Sequence, residues 1–269
     1  MEHVHPIPPH SPLHAAVQLC WQLDRHDPVA IRETIMPKGT VELIFNLNDS
    51  AAMEARIGPR LYQVPRCFIN GFNSCPVQLA LPQSHLLFGV VFQPTALRSI
   101  FNVEAPDFSN QCIDMSLVDA GLDQLWHQLG ELPDFAGRVA AFTGWLLQRL
   151  PSLSAQERFF DRYLSNPGQP ALSVAQLSDL LCYSPRHLTR KLQALVGMNT
   201  ERTLLYKKYL QALHLMHGSG QSLTQIAHGC QFTDQAHFSK TFRAFTQLTP
   251  REYLALKSHL PGHIYSNVR

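Results

Sequence analysis

The chain has no apolar run of 18 residues, so no membrane-spanning helix is expected. Its first residues, Met1-Glu2-His3-Val4-His5-Pro6, lack the charged and apolar regions of a secretory signal, and the expected location is the cytoplasm. The six cysteines, at 20, 67, 75, 112, 182 and 230, form no Cys-x-x-Cys pair. That spacing argues against a disulfide framework or a zinc knuckle and for buried thiols. Gly-rich phosphate loops, nucleophile elbows and paired carboxylates do not stand out, so an enzyme is not expected and no cofactor is implied. The one His-x-His, His3-Val4-His5, lies in a Pro-rich arm without a following carboxylate at matching spacing, and reads as a flexible, solvated arm, not a metal site. His85 and His127 stand alone and read as polar or capping residues.

What is present points to two units. A chain of 269 residues with 45% hydrophobic content can bury two cores. The net charge of +2 hides an asymmetry, because residues 1–154 carry a net −5 and residues 155–269 a net +7. A basic half is the electrostatic footprint of a nucleic-acid binder.

That basic half contains a repeated pattern. In the first copy, Leu177, Leu180, Leu181, Leu188 and Leu192 are spaced as a helix, a tight turn and a second helix. Ser184 is a natural N-cap, and Pro185 falls at the first helical position, where its missing N–H is harmless. The second helix then turns Arg186, His187, Thr189, Arg190 and Lys191 outward, a set suited to bases and phosphates, with Arg190 the first choice for a base contact. The second copy starts near Ser222 or Thr224, and Thr233 or Asp234 caps its reading helix. Phe238, Phe242 and Phe245 turn one face inward and leave Gln235, Ala236, His237, Ser239, Lys240 and Arg243 outside. Between the copies, 201–217 reads as one helix ending at Gly218-Ser219-Gly220, a rod of roughly 25 Å that sets the two reading helices near one duplex turn apart.

The region from about Glu157 to Leu256 resembles the DNA-binding domain of the AraC/XylS family of bacterial transcriptional regulators. Ile226-Ala227, Phe232, Phe238, Phe242 and the closing Thr249-Pro250-Arg251-Glu252-Tyr253 carry the resemblance. It implies seven helices, two helix-turn-helix units and insertion into successive major grooves on one DNA face. Cys182, Gln231 and Gln247 stand where that family usually has glycine. A left-handed turn without glycine costs about 1 kcal/mol, and the tight turns are expected to survive it.

The first 110 residues read as short strands broken by Pro, Gly and Asn. Thr40–Leu47 is the clearest, with Val41, Leu43, Phe45 and Leu47 on one face and Glu42, Ile44 and Asn46 on the other. Further strands are expected at Val17–Leu23, Ile31–Met36, Cys67–Phe72, Val77–Leu81 and Leu86–Phe92, enough for a small barrel or sandwich. The family resemblance implies a cupin-like barrel that senses an effector. Trp21, Glu42, Asn46 and Arg66 are the candidate effector contacts, an aromatic plate with polar groups. Plain core for Trp21, and water or Arg32 for Glu42, are the alternatives.

Two amphipathic helices follow, Leu117–Gly130 and Asp134–Leu150, which either pair two protomers or pack on their own barrel. Trp145, off the stripe of Val139 and Leu146, favours a homodimer. The expected class is therefore α+β: a mostly-β barrel domain with two trailing helices at 1–150, a linker at 151–154, an all-α DNA-binding domain at 155–258 and a tail at 259–269. The functional expectation is a transcriptional regulator of promoter DNA, controlled by a small-molecule effector and contacting RNA polymerase if it activates. The runner-up is an effector-independent regulator whose barrel is a dimerisation scaffold, marked by an interior filled with apolar side chains. An enzymatic variant would need an exposed, low-pKa Cys67, Cys75 or Cys112.

Overall fold

The computed structural model describes residues 2–26, 29–48, 52–150 and 152–267. Pro151 of the expected linker and the last two residues of the expected tail lie outside them. Eleven strands are described: β1 (Glu2–Pro6), β2 (Val17–His26), β3 (Ile31–Ile35), β4 (Val41–Asn46), β5 (Glu54–Ile57), β6 (Arg60–Gln63), β7 (Cys67–Asn70), β8 (Val77–Leu81), β9 (Ser84–Phe92), β10 (Ile113–Asp114) and β11 (His263–Asn267). They form two antiparallel sheets, ordered β1-β2-β9-β4-β7-β10 and β11-β3-β8-β5-β6. The α+β class is as expected, with all the described strands but β11 in the N-terminal half and most helices after them.

Strand β4 shows why the sheets stack. It lies between β9 and β7, and all six of its residues are buried. Period-2 alternation sends Leu43 and Phe45 to one face and Ile44 to the other. Leu43 and Phe45 join a core with Phe88, Leu122 and Phe142, while Ile44 joins a second core between the sheets with Met53, Ile57, Phe68, Leu79 and Leu87. Gly89 of β9 allows the same packing, since a Cβ there would come within 2.1 Å of the Trp21 ring.

Helices α1 (Ala96–Phe101) and α2 (Ala105–Phe108) follow the sheets, then α3 (Gly121–Glu131) and α4 (Phe135–Leu147). Leu122, Leu125, Leu129, Val139, Phe142 and Leu146 of α3 and α4 are buried against the first sheet. Trp145 stacks on Phe101 at 6.1 Å and lies under the Arg149 guanidinium at 4.3 Å. The apolar faces of both helices thus pack on their own barrel, one of the two arrangements expected for them.

Two terminal segments differ from expectation. The arm with His3 and His5 is strand β1, paired with β2 from Glu2↔Leu23 to Pro6↔Leu19, and His3 stacks on Phe135 at 5.6 Å. The segment expected as a tail contains β11, which pairs with β3 from His263↔Ile35 to Asn267↔Ile31. Backbone donors and acceptors at a sheet edge draw both segments in.

The seven expected C-terminal helices are α5 (Ala155–Ser165), α6 (Val174–Leu181), α7 (Pro185–Val196), α8 (Thr200–Gly218), α9 (Leu223–Gly229), α10 (Gln235–Thr246) and α11 (Pro250–Leu256). Capping boxes start α5, α6, α9 and α11, at Ser154, Ser173, Ser222 and Thr249. The two halves are tightly joined. Asp161 of α5 accepts from the Thr95 backbone N–H at 2.8 Å and its hydroxyl at 2.7 Å. Tyr206 of α8 accepts from Gly39 N–H and donates to Asn73 O, and Tyr209 donates to Pro37 O, each at 3.0 Å. Gly39 has φ +69, and a Cβ there would meet a Leu210 methyl at 2.4 Å, so a larger residue would both strain the loop and push Leu210 aside.

Candidate nucleic-acid interface

The first helix-turn-helix unit is α6 and α7. Helix α6 ends at Cys182, which takes the left-handed conformation (φ 53, ψ 41), and Tyr183 N–H returns to Ser178 O at 2.9 Å. The chain then enters α7 through the Ser184 cap, whose hydroxyl accepts from His187 N–H at 3.3 Å. Leu188 and Leu192 are fully buried. Leu180, grouped with the inward stripe by spacing, is 61% exposed instead.

The outward residues of α7 differ in freedom. Arg186 and Arg190 are exposed. His187 is half-buried and stacks on Tyr183 with centroids 4.2 Å apart, and Lys191 is half-buried. Thr189 turns its hydroxyl to Pro185 O at 3.0 Å and Thr200 Oγ1 at 2.8 Å, so it serves the helix junction.

The second unit, α9 and α10, repeats the plan. Gln231 takes φ 59, and Phe232 N–H bonds Ala227 O at 3.0 Å. Lys208 of α8 donates to Gln231 O at 2.6 Å and clamps this turn, a contact that sequence spacing does not reveal. Of the two capping residues left open, Asp234 caps α10, accepting from His237 N–H at 2.7 Å. Phe238, Phe242 and Phe245 are buried as expected. Thr233, Ala236, Lys240 and Arg243 are exposed. Gln235 accepts from the Thr224 hydroxyl at 2.9 Å, and His237 packs edge-on against Phe232 at 5.5 Å.

The four candidate effector contacts do not converge. Trp21 lies over Gly89, facing the second sheet. Glu42 is buried and pairs with Lys38 at 3.4 Å, not with Arg32, while accepting from Asn70 at 3.1 Å. Asn46 and Arg66 do meet, at Trp126: the indole N–H donates to Asn46 O at 2.7 Å, and the Arg66 guanidinium covers the ring at 4.5 Å. His85 is buried with Nδ1 at 2.9 Å from Pro82 O, and His127 is exposed beside Asp123 at 3.9 Å. Burial pushes the Cys20 and Cys112 thiols up to about 12 and the Cys67 and Cys75 thiols up as well, opposite to what a reactive thiolate needs.

Residues 177–255 match a family model described as a helix-turn-helix domain, and residues 5–114 match one described as a domain of unknown function (DUF6597). The HTH-type transcriptional activator RhaS of Escherichia fergusonii is 37% identical over 114 residues, which are 42% of this chain and 41% of that one. Among solved structures, an AraC-type transcriptional regulator from Chromobacterium violaceum is 30% identical over 31% of this chain and 75% of its own, with a TM-score of 0.30. ToxT from Vibrio cholerae covers 95% of this chain and 97% of its own at 13% identity, with a TM-score of 0.47. The chain spans less than half the length of the RhaS relative it matches. Two helix-turn-helix units on one connecting helix make the C-terminal half an AraC-type DNA-binding domain. Among the described residues no helix is long and apolar enough to cross a membrane.

Proposed function

We propose that the protein is a sequence-specific transcriptional regulator that reads promoter DNA in the cytoplasm through α7 and α10. The observation that carries this reading is the pair of capped reading helices joined by the single 19-residue helix α8. Arg186 and Arg190 on one head and Lys240 and Arg243 on the other stand free for bases and phosphates, on the half with net charge +7. His187, Lys191, Gln235 and His237 flank them as second-rank contacts.

For the N-terminal half, the filled apolar space between the sheets favours a scaffold that docks the reading domain over a pocket for a small-molecule effector. A homodimer belongs to this proposal through exposed Leu117 and Val118 in the turn before α3 and Leu147 at the end of α4. RNA polymerase joins as a partner where the protein activates.

The test is the affinity of the full chain for a duplex selected from a random library against a scrambled one, across a salt series. The expected preference is about a thousandfold or more at physiological salt. Arg190→Ala should remove about 1–3 kcal/mol and relax one base position. Equal affinity for both duplexes, lost in step as salt rises, would mean phosphate attraction alone.

A further inference from the structure

The first reading helix does not stand clear of the N-terminal half. Helix α2 packs on α7, and Gly197 at the end of α7 lies so close to Ser109 that a Cβ would come within 2.9 Å of its hydroxyl. This contact fixes α2 beside the C-terminal part of α7, with α1 just before it in the chain. Between them runs a cleft of about 690 Å³, with Arg98 and Glu104 on one wall and Arg186, Thr189, Arg190 and Lys191 on the other. Four cations therefore face one carboxylate. Glu157, also close to Arg98 and Lys191, is engaged by the Ser154 cap. Arg98 and Glu104 stand 3.7 Å apart with side chains 45% and 48% exposed, so neither is needed to fill a core.

A reading helix enters a major groove about 12 Å wide with its N-terminal residues towards the bases. Its C-terminal end then leaves the groove past a sugar-phosphate strand. The cleft extends to Gln193 and Ala194, at that exit end of α7, and its charge is of the sign that a phosphodiester needs.

We propose that the DNA backbone flanking the first reading helix lies in this cleft, and that Arg98, a residue of the acidic N-terminal half, is a phosphate contact. The proposal rests on the DNA-reading function above and extends the footprint beyond the helix-turn-helix domain. Glu104 works in opposition: Arg98 holds its carboxylate in the same cleft, where it repels the strand.

The experiment uses the full chain and its selected duplex, with scrambled DNA alongside. Arg98→Ala should weaken both duplexes several-fold by the same factor and reduce the salt slope of log affinity by about 1. Arg98→Lys should keep the wild-type slope, because a point charge suffices for a phosphate. Glu104→Gln should tighten both duplexes. An Arg98→Ala protein with wild-type affinity and slope, while Arg190→Ala still loses specificity, overturns the proposal and leaves the DNA-reading function intact. Failure of the wild-type chain to prefer any duplex overturns both.

Discussion

Cys182, Gln231 and Gln247 take φ values of 53, 59 and 63, the left-handed geometry that glycine adopts without strain. Each carries a cost of about 1 kcal/mol that neighbouring contacts offset, the Lys208 clamp on Gln231 among them. Their conformation was foreseeable only through the family resemblance, which implies glycine at these turn positions; spacing alone leaves several residues in each turn. Asp161 was not legible, since its partner Thr95 lies 66 residues away and both residue types are ordinary on a surface. Burial pushes its carboxyl up to about 6, against the opposing hydrogen bonds from Thr95. A folded-state value above the unfolded one of about 3.9 means that the folded protein binds the proton more tightly. That contribution is full below about pH 4 and is lost as pH rises through 6, at a cost of about 3 kcal/mol. Asp161→Asn can accept from the Thr95 N–H and donate to its hydroxyl, so it should flatten this dependence. Urea unfolding at pH 4 to 7 would show wild type losing stability relative to the variant; parallel curves would exclude a buried proton at this contact.

At the level of elements, alternation and capping made most of the structure readable. The strands at Val41–Asn46 and Val77–Leu81 and the reading helix from Pro185 declare themselves through period 2, or through a cap with Pro at N1. The short α1, α2, β5, β6 and β10 offer too few residues for a period to show. Strand β11 was missed for another reason: its five residues follow Pro261-Gly262, and the edge that pairs with them lies more than 220 residues earlier. Its anchoring is substantial. Tyr253 of α11 accepts from Gly262 N–H at 2.9 Å, and Met36 N–H donates to Gly262 O at 2.7 Å. His263 Nδ1 lies 2.6 Å from Glu33, and Lys38 Nζ lies 3.4 Å from its Nε2. Burial pulls the Glu33 carboxyl up, but the His263 hydrogen bond and charge outweigh it and hold it below the usual range. Truncation after Ser258 should therefore cost on the order of 3 kcal/mol, from several backbone bonds of about 0.5–1.5 kcal/mol each. It should also expose the amides of Ile31–Ile35 to hydrogen exchange. Unchanged protection there would show that β11 does not hold the edge.

For the whole molecule, the consequence is a second reading head held at both ends, by α8 on the Pro37–Gly39 loop and by β11 behind α11. Helix α8 has 19 residues, a rod of about 28 Å, close to the ~34 Å of one duplex turn. A rod of that length, docked through Tyr206 and Tyr209, cannot turn one head to follow a rotated site. The most direct measurement of this arrangement is the affinity for the selected duplex after five base pairs are inserted between its two contacted blocks, about half a helical turn. With both heads fixed on one DNA face, binding should fall to that of a single block, and a ten-base-pair insertion should not restore it because α8 cannot lengthen. Full affinity for the five-base-pair insertion would contradict two heads reading one face from a single rigid helix.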